Sequence, residues 1–190
     1  MDALDLLKTR RSVSSSFLAE PGPDAGQLDQ ILTIASRVPD HGKLAPWRFI
    51  VFEGDARLKA GSALADLYKV KNPEAPEKKV EEESKRFSYA PVIVAVVSTA
   101  APHVKIPEFE QLLAAGNAAM NMVHAAHAMG FAAQWLSGWL AYDADAGQIL
   151  GLKPGERFIG FIHIGTSTAP YQDRPRPNVA ELVTRWQAPG

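Results

Sequence analysis

Between residues 27 and 37 the apolar positions Leu28, Ile31, Leu32 and Ala35 fall at i, i+3, i+4 and i+7. That spacing lines one face of a helix, and Pro39 stops it. Leu4, Leu6 and Leu7 predict a shorter helix ending near Arg10. Residues 56–68, with Leu58, Leu64, Leu67 and Tyr68, predict another, and Pro73 and Pro76 break the chain after it. Residues 77–86 are dense in both signs of charge. Glu81 with Lys85 and Glu82 with Arg86 are i, i+4 pairs with the acid first, each adding a few tenths of a kcal/mol. This stretch reads as a solvated helix rather than an interaction tail.

Other stretches are apolar without helical spacing. Phe49-Ile50-Val51-Phe52 predicts a strand covered on both faces, and Val92-Ile93-Val94-Ala95-Val96-Val97 a central one. Residues 131–136 and 158–164 supply a third and a fourth. A long helix over 108–129 is stopped by Gly130. Asp143 caps a short helix ending at Gly151, and Asn178 with Glu181 has capping-box spacing for a last one. The tail over 169–177 is proline-rich and extended. Helices alternate with strands at irregular spacing, which predicts an α+β fold with a central mixed sheet flanked by helices. No repeat or linker interrupts the chain, so residues 1–190 read as one domain.

The helix over 108–129 is rich in alanine, with Gly116, Met120, Met122 and Met129, while Asn117, Asn121, His124 and His127 form one polar stripe. A helix apolar over most of its girth needs cover on more than one side. It lies either at the heart of one domain or against a second subunit.

Composition narrows the function. Lys plus Arg is 20 and Asp plus Glu is 21, so no excess of base is available to neutralise nucleic-acid phosphates. Without cysteine there is no thiolate ligand, thiol nucleophile or disulfide. The weakly polar run 112–133 is interrupted by Asn117, Asn121, His124 and His127, which argues against a membrane span. The acidic start, Met1-Asp2-Ala3-Leu4-Asp5, lacks the order of a secretory signal, so the expected location is cytoplasmic.

Candidate chemistry lies in arginine. Arg10-Arg11-Ser12 is either a phosphate clamp, with guanidinium forks and a hydroxyl, or a pair of cations meeting a helix dipole. Arg174 and Arg176, in Arg174-Pro175-Arg176-Pro177, are either solvated charges or groups pre-ordered by proline to bind an anion. The loop Asp40-His41-Gly42-Lys43, between a helix end and a strand, is a surface turn or a functional loop. His124 and His127 share a helix face, but no further ligand set accompanies them, so no metal is expected. His163, in a strand, reads as a satisfied core histidine. Ser137 has no G-x-S-x-G surroundings. Neither GxGxxG nor GxxxxGK[ST] occurs, so a bound nucleotide would need arginine where other folds use a glycine loop.

In order, Arg10-Arg11-Ser12-Val13, Pro39-Asp40-His41-Gly42-Lys43 with Pro46-Trp47-Arg48-Phe49, Ala90-Pro91 before a buried strand, and Gly165-Thr166 before the basic tail resemble the short, single-domain branch of the nitroreductase superfamily, over about residues 2–186. The resemblance implies an FMN-dependent homodimer with the long helix at its interface and a flavin at the subunit boundary. It implies that Arg10, Arg11 and Ser12 hold the phosphate and ribityl chain, with Arg174 or Arg176 returning to the phosphate. Arg37 and His41 match positions that reach the flavin of the opposite subunit, and Trp135, Leu136 and Ser137 the segment along the isoalloxazine edge. The implied activity is ping-pong hydride transfer from NAD(P)H, through the flavin, to a small electron-poor acceptor such as a nitroaromatic or quinone. It requires no side-chain acid or base, with His41 and Lys43 as candidate assistants. The same scaffold also fits a flavin-binding sensor, a dehydrogenase or a dehalogenase. The chain departs from the family where PDHGKLAPW replaces the common P-S-x-x-N-x-Q-P-W, leaving His41 as the candidate substitute for the asparagine, and where Val13 is followed by serines instead of a basic residue.

Overall fold

Every residue of Val92–Ser98 is buried, as an apolar run covered on both faces must be. The computed structural model describes residues 2–170 and 172–188 and sets this run inside a five-stranded sheet. Tyr171, part of the tail read above as extended, and the chain ends at 1 and 189–190 lie outside the described residues. The strands are β1 (Leu18–Ala19), β2 (Trp47–Glu53), β3 (Val92–Ser98), β4 (Ala132–Leu136) and β5 (Arg157–Ser167). The helices are α1 (Ala3–Thr9), α2 (Ala25–Ala35), α3 (Asp55–Lys71), α4 (Glu77–Lys85), α5 (Glu108–Ala128), α6 (Ala144–Ile149) and α7 (Val179–Leu182). Among the described residues no helix is long and apolar enough to cross a membrane.

The order is β1-β5-β3-β2, with β4 also paired to β5. The α+β class stands, but the sheet is antiparallel at each of these pairings, not mixed. The cause lies in the connections. Helices α3 and α4 pack together as an out-and-back pair, so β3 re-enters the sheet where β2 left it. The single helix α5 would leave β3 and β4 running alike, but β5 comes between them and opposes both.

Alternation along β3 divides the core in two. Val92, Val94 and Val96 meet Leu28 and Ile31 of α2 and Ala119, Met122 and Ala126 of α5. Ile93, Ala95 and Val97 face Phe52, Leu64, Phe87 and Phe161 on the other side. Each such large side chain, fully buried, contributes about 1.5–3 kcal/mol. Strand β2 differs from expectation: only Phe52 of it is buried, because it is an edge strand. It is tied down by Arg48, whose Nε and Nη2 donate to Glu156 at 2.7 and 2.5 Å. That fork holds the Glu156 carboxyl down to about 2.

Helix α4 is not merely solvated. Lys85 pairs with Glu81 as expected, at 2.6 Å, but Arg86 turns to Glu83 instead of Glu82. Glu83 is buried and also accepts from Trp139 Nε1 at 2.8 Å. Burial works to raise its pKa, but the hydrogen bonds from Arg86 and Trp139, with the charges of Arg86 and Lys79, hold it low. One carboxylate thus fastens α4 to the body of the protein.

Candidate functional site

Helix α1 is capped by the Asp2 carboxylate, which accepts from Asp5 N, and anchored by buried Leu6. Past its end the chain runs extended along the edge of β4. Val13 N donates to Ala133 O at 3.3 Å, and Ser15 N to Gln134 Oε1 at 2.5 Å. From below, His127 of α5 sets its Nε2 2.8 Å from Arg11 O and its Nδ1 2.9 Å from Val123 O. Sequence spacing places this histidine in a polar stripe with His124, without a metal, and gives it no further role. Its role is to hold the backbone of the arginine segment on α5. Among the described residues no three His, Cys, Asp or Glu side chains gather as metal ligands.

The C-terminal tail returns to the same place. Arg11 Nε donates to Gln172 O at 3.0 Å. The Asp173 carboxylate lies 3.8 Å from Arg11 and 3.3 Å from Arg176. Arg10 is half-buried, and its guanidinium has neither a hydrogen-bond nor an ion-pair partner among the described residues. Burial lowers its pKa first, and the charges of Arg176, Arg11 and Arg174 lower it further. So guanidinium groups from both ends of the chain converge, with Asp173 as a partial counter-charge. Like charges around a desolvated cation cost free energy unless an anion joins them. His124, one turn before His127, has its pKa lowered by burial and then by Arg10 and His127. A cavity of about 740 Å³ opens here, lined by Arg10, Arg11, Ser12, His127 and Gln172 among others.

Residues 12–15 lead from that cavity along β4 to a second one of about 370 Å³, where Leu136 and Ser137 form part of the wall. Four strand steps separate Ala132, at the first cavity, from Leu136, at the second, which is about 14 Å. The chain passes from the wall of one cavity at Ser14 to the wall of the other at Ser15, so the two read as one trough with a cationic end and a mixed polar and aromatic end. Trp135 points the other way, half-exposed, with Nε1 3.3 Å from Ile159 O. It crosses β5 at Gly160, whose φ of +154° and bare Cα make room for it. A Cβ there would stand 2.1 Å from Trp135 Nε1 and 2.8 Å from Leu136 O. Gly160→Ala is expected to cost about 1–3 kcal/mol and displace Trp135. Thermal denaturation and tryptophan emission check it, and an unshifted emission maximum would contradict this placement.

The structure does not bring Arg37, His41 and Lys43 to this trough within one chain. His41 Nδ1 lies 2.7 Å from Glu110 Oε2, at the opening turn of α5. Arg10 acts on His124, fourteen residues further along, which is about 21 Å of helix. Arg37 is exposed, its carbonyl accepts from Asn121 Nδ2 at 3.1 Å, and its charge is not among those acting on Arg10. The loop bearing His41 is rigidly built. Lys43 and Ala45 adopt left-handed φ of 55° and 46°, a conformation that costs a non-glycine residue about 1 kcal/mol or more. The Asp40 carboxylate holds it by accepting from Leu44 N at 3.1 Å and Ala45 N at 2.8 Å.

His163 corrects a sequence expectation. It is buried, yet neither ring nitrogen has a partner among the described residues.

Comparison with known proteins identifies relatives of the chain and of its fold. The family model described as "Nitroreductase family" matches residues 7–166. The chain is 36% identical over 166 residues to "Putative NAD(P)H nitroreductase YdjA" of Escherichia coli (strain K12), covering 87% of this chain and 88% of that protein. A solved nitroreductase-like family protein from Bacillus cereus superposes with a TM-score of 0.82 at 22% identity, covering 99% of this chain and 97% of that one. A variant of the FMN and NADPH-dependent nitroreductase NfnB, from sphigopyxis sp. strain HMH, gives 0.75 at 21% identity, covering 99% and 100%.

Proposed function

The chain belongs to the nitroreductase family, and from that premise we propose that it is an FMN-dependent oxidoreductase moving electrons from NAD(P)H to small electron-poor acceptors such as nitroaromatics and quinones. The observation that carries this reading is the unpaired, half-buried Arg10 among Arg11, Arg174 and Arg176, at one end of a trough whose other end is polar and aromatic. A dianion joined through a hydroxylated chain to a flat ring has the same order of chemistries. When bound, FMN supplies hydride acceptance from the nicotinamide and hydride delivery to the acceptor, as two half-reactions in one place.

The residues of the chain do the positioning. Arg10 and either Arg174 or Arg176 meet the phosphate, and the Ser12 hydroxyl faces the linking chain. Leu136 and Ser137 border the ring, and Trp135 braces the far side of β4. None of them is required as an acid or base.

The working unit in this reading is a homodimer. One face of α5 is open: Phe109 is 67% and Leu113 51% exposed, and Gly116, Asn117, Met120 and His124 continue the stripe. Residue 117 is midway between Glu110 and His124, and nothing stands over Gly116 within 4 Å of where a Cβ would be. Two α5 helices crossing there about a two-fold axis would bring His41 of one chain to Arg10 of the other.

Purified protein is expected to be yellow, with about one flavin per subunit, to bleach with NADH or NADPH, and to recover colour with a quinone or nitroaromatic. Initial rates should give the parallel reciprocal lines of a ping-pong scheme. Colourless protein that ignores added FMN would sink the reading. Flavin that binds but does not bleach would point to a non-catalytic flavin module.

A further inference from the structure

His163 is only 3% exposed, its Nδ1 is wholly enclosed without a partner, and Nε2 is the ring nitrogen that is not enclosed. It stands on β5 opposite Gln134 of β4, with the Phe87 ring 6.3 Å away. Nε2, the ring nitrogen left open, has no partner among the described residues and is free to meet a polar group that enters the cavity whose wall it joins. That wall belongs to the 370 Å³ cavity, which also presents Ser15, Lys79, Arg86, Tyr89 and Ser137.

The charges there are already matched. Arg86 is engaged with Glu83, and Lys79 lies 3.2 Å from Glu82 and 3.5 Å from Glu83. A second anion has no free cation to meet in this cavity, in contrast to the Arg10 end. Burial, with the charge of Arg86, pushes the His163 pKa down to about 4, so at neutral pH the ring is uncharged and offers one donor and one acceptor.

We infer that His163 is a ligand-contacting residue: the cavity between α4 and β4 takes a neutral, planar ring edge bearing carbonyl and N–H groups, and His163 Nε2 hydrogen-bonds to it. This rests on the flavin reading, in which that edge is the pyrimidinedione end of FMN and residues 12–15 span the distance to the phosphate. Arg86 and Ser137 frame the same edge, with Arg86 fixed by buried Glu83, which Trp139 Nε1 holds in turn.

The test is FMN titration by fluorescence quenching of the wild type, His163→Leu and His163→Gln, with the melting temperature of each ligand-free protein. The leucine variant is expected to bind FMN about tenfold more weakly, while its ligand-free form melts no lower, since an unsatisfied group has gone. Glutamine, which keeps a donor and an acceptor, is expected to recover part of the affinity. A leucine variant with wild-type affinity and an unchanged flavin spectrum overturns the inference and leaves the functional reading standing. Wild-type protein that binds no FMN sinks both. Should the leucine variant not fold, imidazole ¹⁵N resonances of the wild type decide. A His163 signal that moves on FMN addition supports the contact, and one that does not move refutes it.

Discussion

Replacing Arg10 and Arg176 together by alanine is expected to weaken FMN binding by roughly a hundred- to ten-thousand-fold, with the melting temperature of the ligand-free protein unchanged or raised. The first half follows from hydrogen bonds to a charged group, each contributing about 1.5–3 kcal/mol. Two of them give about 3–6 kcal/mol, and about 1.4 kcal/mol is a factor of ten. The second half follows from what these groups do without a ligand. The Arg10 guanidinium has no partner among the described residues, and the tail charges that act on it are like charges. Arg176 gives up one exposed contact of 3.3 Å to Asp173, and such pairs contribute about 0–1 kcal/mol. Removing both relieves repulsion and breaks little. Opposite signs on ligand affinity and ligand-free stability mark a binding site, whereas a structural pair would lower both. Arg10→Lys should fall between, since it keeps the charge but loses the planar fork. Calorimetric titration beside scanning calorimetry reads both quantities. A double variant that binds FMN as the wild type does would remove the phosphate from this end of the trough.

Periodicity disclosed what repeats locally. The long apolar helix appears as Glu108–Ala128, and Asp143 caps Ala144–Ile149 as its position suggested. What periodicity lacks is the identity of neighbours. Phe49-Ile50-Val51-Phe52 looks like an interior strand, yet β2 is an edge, and no spacing within it says which strand stands beside it. Residues 77–86 look fully solvated because Glu83 is one acid among many. Its burial depends on Trp139, 56 residues away. His163 looks like any core histidine, since an absent hydrogen bond leaves no trace in sequence. The site divides in the same way. Arg11 and Gln172 meet across 161 positions, so only the order of motifs along the chain, and no local pattern, pointed to their meeting. His127 carries no signal apart from its place beside His124 on one helix face, and nothing in that spacing discloses the carbonyl of Arg11, 116 positions away.

The separation between His41 and Arg10 yields the sharpest test of the assembly. If a complete site takes Arg10 from one subunit and Arg37 with His41 from the other, two inactive proteins can restore each other. One parent carries Arg10→Ala, the other Arg37→Ala with His41→Ala. Each homodimer has two defective sites. In a mixed dimer both lesions fall into one site and leave the second whole, because a two-fold axis exchanges the contributions. Random exchange of subunits makes about half of the dimers mixed, so roughly a quarter of wild-type sites should return. If instead each chain builds its own site, every site in a mixed dimer keeps one lesion and the mixture stays as inactive as its parents. Co-expression with two affinity tags isolates the mixed species, in which bound flavin and turnover should reach about half of the wild-type value per dimer. Glu110, the partner of His41, lies about 21 Å along α5 from His124, on which Arg10 of the same chain acts, so a loss of flavin on His41→Ala alone already points to a second copy. Recovery on mixing would then identify the open stripe through Gly116 as the seam between the two.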